Sequence, residues 1–155
     1  MFNLSKKAAG RYRLKWSDIE EKRGDRWKID VIMVSRYPVI WIIHEYTLFT
    51  LVRNKKDFRT IQDIADEIIR CCSWYNYTGI LDIGKNTDKK LNGNINEMKR
   101  ITADHYSSSY LAEIQNRINT GIYSKLSTGK YSHVMPSEAV ALYKKGEWPL
   151  KSEEI

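Results

Sequence analysis

The sequence predicts an α+β fold, a three- to four-stranded antiparallel meander packed with about four helices. Three observations predict it. Residues 28–53 are rich in β-branched and aromatic side chains and are broken by turn signals. Most of the chain after residue 60 shows helical spacing instead. The length of 155 residues suits one domain, and 42% hydrophobic with 12% aromatic residues suits a packed globule rather than a disordered chain. The expected organisation is a basic, flexible arm over 1–15 that orders on contact with a partner, a single globular α+β domain over 16–150, and a loose tail over 151–155.

Taken in order, Ser17 followed by Asp18, Glu20 and Glu21 starts a short helix, which Gly24-Asp25 ends. A strand over 28–34 sets Ile29, Val31 and Met33 on one face and Asp30, Ile32 and Val34 on the other. Pro38 interrupts the run, because it cannot donate to a ladder. Strands follow over 39–45 and 47–53. The middle one is apolar on both faces, with Val39, Trp41 and Ile43 against Ile40 and Ile42. Such a strand is covered on both sides, by helices of this chain or by a second copy in a homodimer. His44 and Glu45 fall where this strand must turn. Neighbours on a strand point to opposite faces, so a turn is the expected role rather than an acid–base pair.

Ile61, Ile64, Ala65, Ile68, Ile69 and Cys72 form one face of an amphipathic helix, with Thr60 as N-cap and Asp63 at the capping-box position. This spacing runs unbroken where a helix-turn-helix would need its turn. A fourth strand is expected near 79–83, a loop over 85–94, and a helix over 95–104. Leu111, Ile114, Ile118, Ile122 and Leu126 predict a helix over 108–126, with Ser107 and Ser108 as cap candidates. A last helix runs from Pro136 to Gly146.

The net charge is +7 and the pI is near 9.3. The excess is clustered. Lys6, Lys7, Arg11, Arg13 and Lys15 lie in the first fifteen residues without an acid, and Arg53, Lys55, Lys56 and Arg59 surround Asp57 alone. Such clusters suit polyphosphate or an acidic protein surface. Tyr12 and Trp16, interleaved with the first cluster, suit stacking on unpaired bases. Trp27, between Arg26 and Lys28, reads as a packing residue. These eleven positions, from Lys6 to Arg59, are the candidate nucleic-acid-binding residues.

Catalytic constellations are weaker. Asp82 with Glu97 and Lys99 has the order of an acid followed by acid-x-Lys, as in metal nucleases, but 95–104 reads as helix. His105 and His133 offer a distant acid–base pair. Ser127-Thr128-Gly129-Lys130 ends like a phosphate loop without its first glycine. Gly121-Ile122-Tyr123 lies in a helical stripe, with its partner-like segment upstream rather than downstream, the wrong order for a GIY-YIG nuclease. Cys71 and Cys72 are adjacent, with Cα atoms about 3.8 Å apart, below the disulfide range. With three scattered histidines they make no zinc pattern, and no cofactor is expected.

No run is long enough to span a membrane, and residues 1–16 lack the apolar core of a secretory signal, so a cytoplasmic protein is expected. Abundant Ile, Lys, Tyr and Asn, whose codons are AT-rich, hint at a phage or mobile element. The reading is therefore a small basic binding protein, partnered with nucleic acid or with a protein that handles it, acting as an accessory or inhibitory factor. A small metal-dependent or histidine-based nuclease or phosphodiesterase, and a homodimeric interaction protein, are the alternatives.

Overall fold

A computed structural model describes residues 1–34, 36–103, 111–123, 126 and 134–148, with only the backbone of Val34. The predicted meander is present. β2 (Trp27–Val34), β3 (Tyr37–His44) and β4 (Thr50–Asn54) pair antiparallel, with Trp27 opposite His44 and Ile43 opposite Thr50. β3 is covered on both faces, as its sequence requires. Val39, Trp41 and Ile43 pack with α3 (Lys89–Ile101), α4 (Leu111–Asn119) and α5 (Pro136–Lys144). Ile40 and Ile42 pack with α1 (Lys6–Arg11) and α2 (Ile61–Cys71). The chain's own helices therefore cover both faces of β3 from Val39 to Ile43.

The sheet is not a pure meander. β1 (Phe2–Leu4) inserts parallel to β2, and β5 (Ile83–Gly84) pairs parallel to β1, giving the order β4-β3-β2-β1-β5. This corrects the expectation of a flexible arm over 1–15. Phe2 and Leu4 are fully buried, each burial worth about 1.5–3 kcal/mol, and Asn3 between them is buried too. Ser5 caps α1 by accepting from the Ala8 amide, and Ala8 and Ala9 pack on the sheet. A three-residue Phe-Asn-Leu strand is too short to announce itself by periodicity.

Both edges of the sheet are closed. On β4, the Asn119 side chain accepts from the Thr50 amide at 2.8 Å and donates to its carbonyl at 2.9 Å, and Gln115 accepts from the Val52 amide at 3.0 Å. On the far side, the Lys22 amide donates to the Lys85 carbonyl and the Lys85 amide to the Glu20 carbonyl, both at 2.9 Å. Residue 84 must be glycine there. A Cβ would lie 2.7 Å from Asn3 Oδ1 and 2.8 Å from the Lys22 side chain. Edges blocked in this way resist strand addition by another chain.

Other elements depart from the sequence reading for local reasons. Helix formation after Ser17 stops at one 3₁₀ turn, Trp16–Asp18, because Glu20–Lys22 is drawn into the sheet margin. The loop expected over 85–94 is largely helix. Asp88 caps α3 by accepting from the Leu91 amide at 2.9 Å, and Leu91, Ile95 and Met98 form the buried stripe. Gly93 is tolerated on its exposed side. α4 ends at Asn119 rather than near 126. Gly121 lets Tyr123 fold back so that its hydroxyl donates to the Ile118 carbonyl at 2.8 Å; a Cβ at 121 would lie 2.5 Å from that hydroxyl. Ile122 is consequently 55% exposed, outside the stripe the sequence assigned it. α2 has the predicted Thr60–Asp63 capping box, and α5 begins at Pro136. Ser107, Ser108 and the tail over 151–155 lie outside the described residues. No described helix is long and apolar enough to cross a membrane.

Candidate nucleic-acid interface

The interface begins at the end of α1. Tyr12 is the C-cap, and the chain leaves the helix through a Schellman turn. The Arg13 amide donates to the Gly10 carbonyl at 3.1 Å and the Leu14 amide to the Ala9 carbonyl at 2.9 Å. The residue that must turn left-handed in this motif is usually glycine. Here it is Arg13, at φ 58°.

From the same turn, the Arg11 guanidinium donates to the carbonyls of Lys55, at 2.8 Å, and Phe58, at 2.9 Å. The Tyr12 hydroxyl also donates to the Phe58 carbonyl, at 3.2 Å. These bonds join the two basic clusters through residues more than forty apart in sequence. Between them opens a groove of about 600 Å³. It is lined by Arg11, Arg13 and Arg59, by the first turn of α2, and by the largely apolar side chains of Tyr12, Leu14, Ile61, Leu81 and Ile83. A second groove of about 470 Å³ adjoins it, sharing Arg13, Leu14 and Ile83 and lined further by Lys15 and Lys22 and by the acids Asp18 and Glu20.

The remaining predicted residues fall in three places. Lys6 and Lys7 are exposed on α1, and Trp16 lies beneath the Lys85 ammonium at 4.0 Å, next to the second groove. Lys55 and Lys56 border a separate depression with Tyr37 and Pro38. Arg53 stands apart. It pairs with Glu67 at 3.1 Å and donates to Gln115 at 2.6 Å, tying β4 to α2 and α4 rather than facing a groove. The sequence reading missed the apolar lining. Leu14 was legible as a lone apolar residue between Arg13 and Lys15, whereas Leu81 and Ile83 read as the interior of a strand.

The His44–Glu45 pair makes a different kind of site. His44 is fully buried and Glu45 is 2% exposed, and they do not bond each other. His44 Nε2 meets Asp25 Oδ1 at 2.6 Å, and Nδ1 meets the Thr47 hydroxyl at 2.8 Å. Trp27, Trp74 and Tyr143 enclose the imidazole, with ring centroids 4.9–5.2 Å away. In an acid–base dyad the imidazole faces the substrate; here it is the carboxylate, 38% exposed, that reaches solvent. Burial pushes the Asp25 carboxyl up, but hydrogen bonds from His44 and Tyr143 outweigh burial and hold it below its ordinary range. Glu45 accepts from Asn3 at 2.7 Å and from Asn86 at 2.5 Å. Lys28, buried nearby and depressed mainly by desolvation, donates to the Asn86 carbonyl at 2.8 Å. The turn reading holds, and the turn is a satisfied polar junction of the fold.

The other catalytic sets are not assembled. Asp82 bonds Arg26 at 2.6 Å and pairs with Lys22, and these cations hold its carboxyl far below the usual range. Glu97 pairs with Arg100 on α3, and Lys99 with Asp30 at 3.4 Å. Among the described residues, no three His, Cys, Asp or Glu side chains are grouped to hold a metal ion. His105, His133 and the segment 127–130 lie outside the described residues. Compared with family models, with curated proteins and with solved structures, the chain finds no match in any of the three.

Proposed function

We propose that the protein is a nucleic-acid-binding accessory factor that holds phosphates along the joined grooves beside α1. One observation carries this reading. The bonds from Arg11 to the Lys55–Phe58 turn tie the first basic cluster to the second beside the grooves, where Arg13, Lys15 and Arg59 are exposed. Clustered exposed cations of this kind attract polyphosphate by counterion release and set its salt dependence. The net charge of +7 acts in the same direction. A protein that handles nucleic acid is the other partner suited to such a surface. The AT-leaning composition fits a phage or mobile-element factor working in a cytoplasm.

The test is a salt titration of binding to labelled single-stranded and duplex DNA and RNA, with Mg²⁺ present so that cleavage would be seen. Affinity falling linearly in log–log form with salt, with the substrates intact, is the expected result. No binding to any of them at low salt rejects the reading and turns the search to a protein partner.

A further inference from the structure

We infer that the occupant of the joined grooves is an unpaired nucleic-acid strand, clamped at their junction by Arg13. This rests on the nucleic-acid reading above and narrows it to a substrate class.

The apolar lining is the first argument. Leu14 and Leu81 are 38% and 45% exposed and line the first groove together with Arg11, Arg13 and Arg59. Phosphates alone need no such apolar lining. Base faces do, and in a duplex those faces are stacked away inside the helix. An unpaired strand offers both chemistries at once, charged backbone for the arginines and flat rings for the apolar side chains. A volume of about 600 Å³ lies within the range of pockets that hold one small organic group or a few.

The continuity of the grooves is the second argument. They share Arg13, Leu14 and Ile83, so the site is a track with a bend, suited to an extended chain rather than a compact ligand. An extended acidic peptide is the obvious rival. Peptides that lie along a sheet margin gain much of their affinity from main-chain pairing with a free edge. Lys85 beside the track already pairs with Glu20 and Lys22, so that pairing is blocked there.

Arg13 is the third argument. It occupies a left-handed position that glycine would fill without strain. Its side chain is exposed and borders both grooves. A strained backbone at the junction of a site is a pointer to function. The fold gains nothing visible from an arginine there, whereas a phosphate at the bend would.

The experiment compares wild type with Arg13→Gly and Leu81→Ser, using a labelled single-stranded oligonucleotide, competed by unlabelled single strand, unlabelled duplex and a Glu/Leu copolymer peptide. The expected result is single strand competing at least tenfold better than duplex. Arg13→Gly should melt higher by about 2–4 °C, yet bind the strand about tenfold more weakly with a flatter salt slope. Leu81→Ser, at an exposed position, should keep its melting temperature and lose strand affinity while leaving duplex binding unchanged. Duplex competing as well as single strand overturns this inference and leaves the nucleic-acid reading standing. Tighter binding of the acidic peptide than of any strand overturns both. Arg13→Gly that is more stable and binds equally well removes Arg13 from the site.

Discussion

Among the described residues, two concentrations of polar side chains are built on opposite principles. Around the β3–β4 turn, His44, Glu45, Asn3, Asn86 and Lys28 are buried. Beside α1, Arg13, Lys15 and Arg59 are exposed at the partly apolar grooves. The buried group satisfies its donors and acceptors within the chain, because an unsatisfied polar group away from water costs about 1–3 kcal/mol. The exposed group meets no such demand, and its charges remain available to a ligand. The pair most suggestive of chemistry in the sequence, His-Glu, therefore serves architecture. The basic clusters, already the binding candidates in the sequence, border the candidate site.

If the contrast is correct, substitutions should divide into those that unfold the protein and those that disable it. The largest effect is expected at Glu45. Glu45→Ala leaves the Asn3 and Asn86 amides without their acceptor and removes a negative charge next to the buried Lys28 ammonium. A loss of about 3–5 kcal/mol is expected, measured by urea denaturation at neutral pH. A loss below about 1 kcal/mol would mean that the junction is not a structural keystone and would reopen the turn as a site.

Next comes the closed edge. Asn119→Leu strips both side-chain bonds from the Thr50 backbone. About 2 kcal/mol of destabilisation is expected, together with concentration-dependent association seen by light scattering as β4 becomes an open edge. Loss of stability without association would show that other contacts protect the edge.

How far the two regions were legible follows from the range of their interactions. β2, β3, β4 and α2 are specified by alternation, apolar runs and a capping box, all local signals, and their positions agree with the sequence reading to within a few residues. β1 was missed because its stability comes from non-local partners: Phe2 and Leu4 matter only once β2 and β5 flank them. The start of α3 was hidden by Asn, Gly and Asp, which favour loops locally, although the spacing of Leu91, Ile95 and Met98 had already begun. The charge clusters were legible as composition. Their convergence was not, since it depends on where Arg11 finds the Lys55 and Phe58 carbonyls.

A smaller effect is expected from acid. Asp25 and Asp82 both have folded-state pKa values below their ordinary ones. A depressed carboxyl contributes stability that is fully present above its unfolded pKa of about 3.9 and is lost as pH falls toward the folded value. Melting temperature should therefore fall below about pH 4. Asp25→Asn should lower it at pH 6 by more than at pH 3, so that the two proteins converge in acid. Both carboxylates are more than a third exposed, so solvent screening keeps the effect modest. Parallel curves over that range would place the depression elsewhere.

The smallest effect on stability is expected where the effect on function should be largest. Arg59→Ala and Lys15→Ala remove exposed side chains at the grooves, and surface changes of this kind stay within about 0.5 kcal/mol. If each side chain holds one phosphate, each variant should lower the slope of log affinity against log salt by about 0.7 for a single strand. The weakening should be similar across base sequences, because a phosphate contact carries no sequence information. Arg53→Ala is the matched control. It removes the same charge but breaks the ties to Glu67 and Gln115, so it should cost stability and leave the salt slope of the folded protein unchanged. A slope reduced equally by all three would mean that net charge alone, rather than the grooves, attracts the ligand.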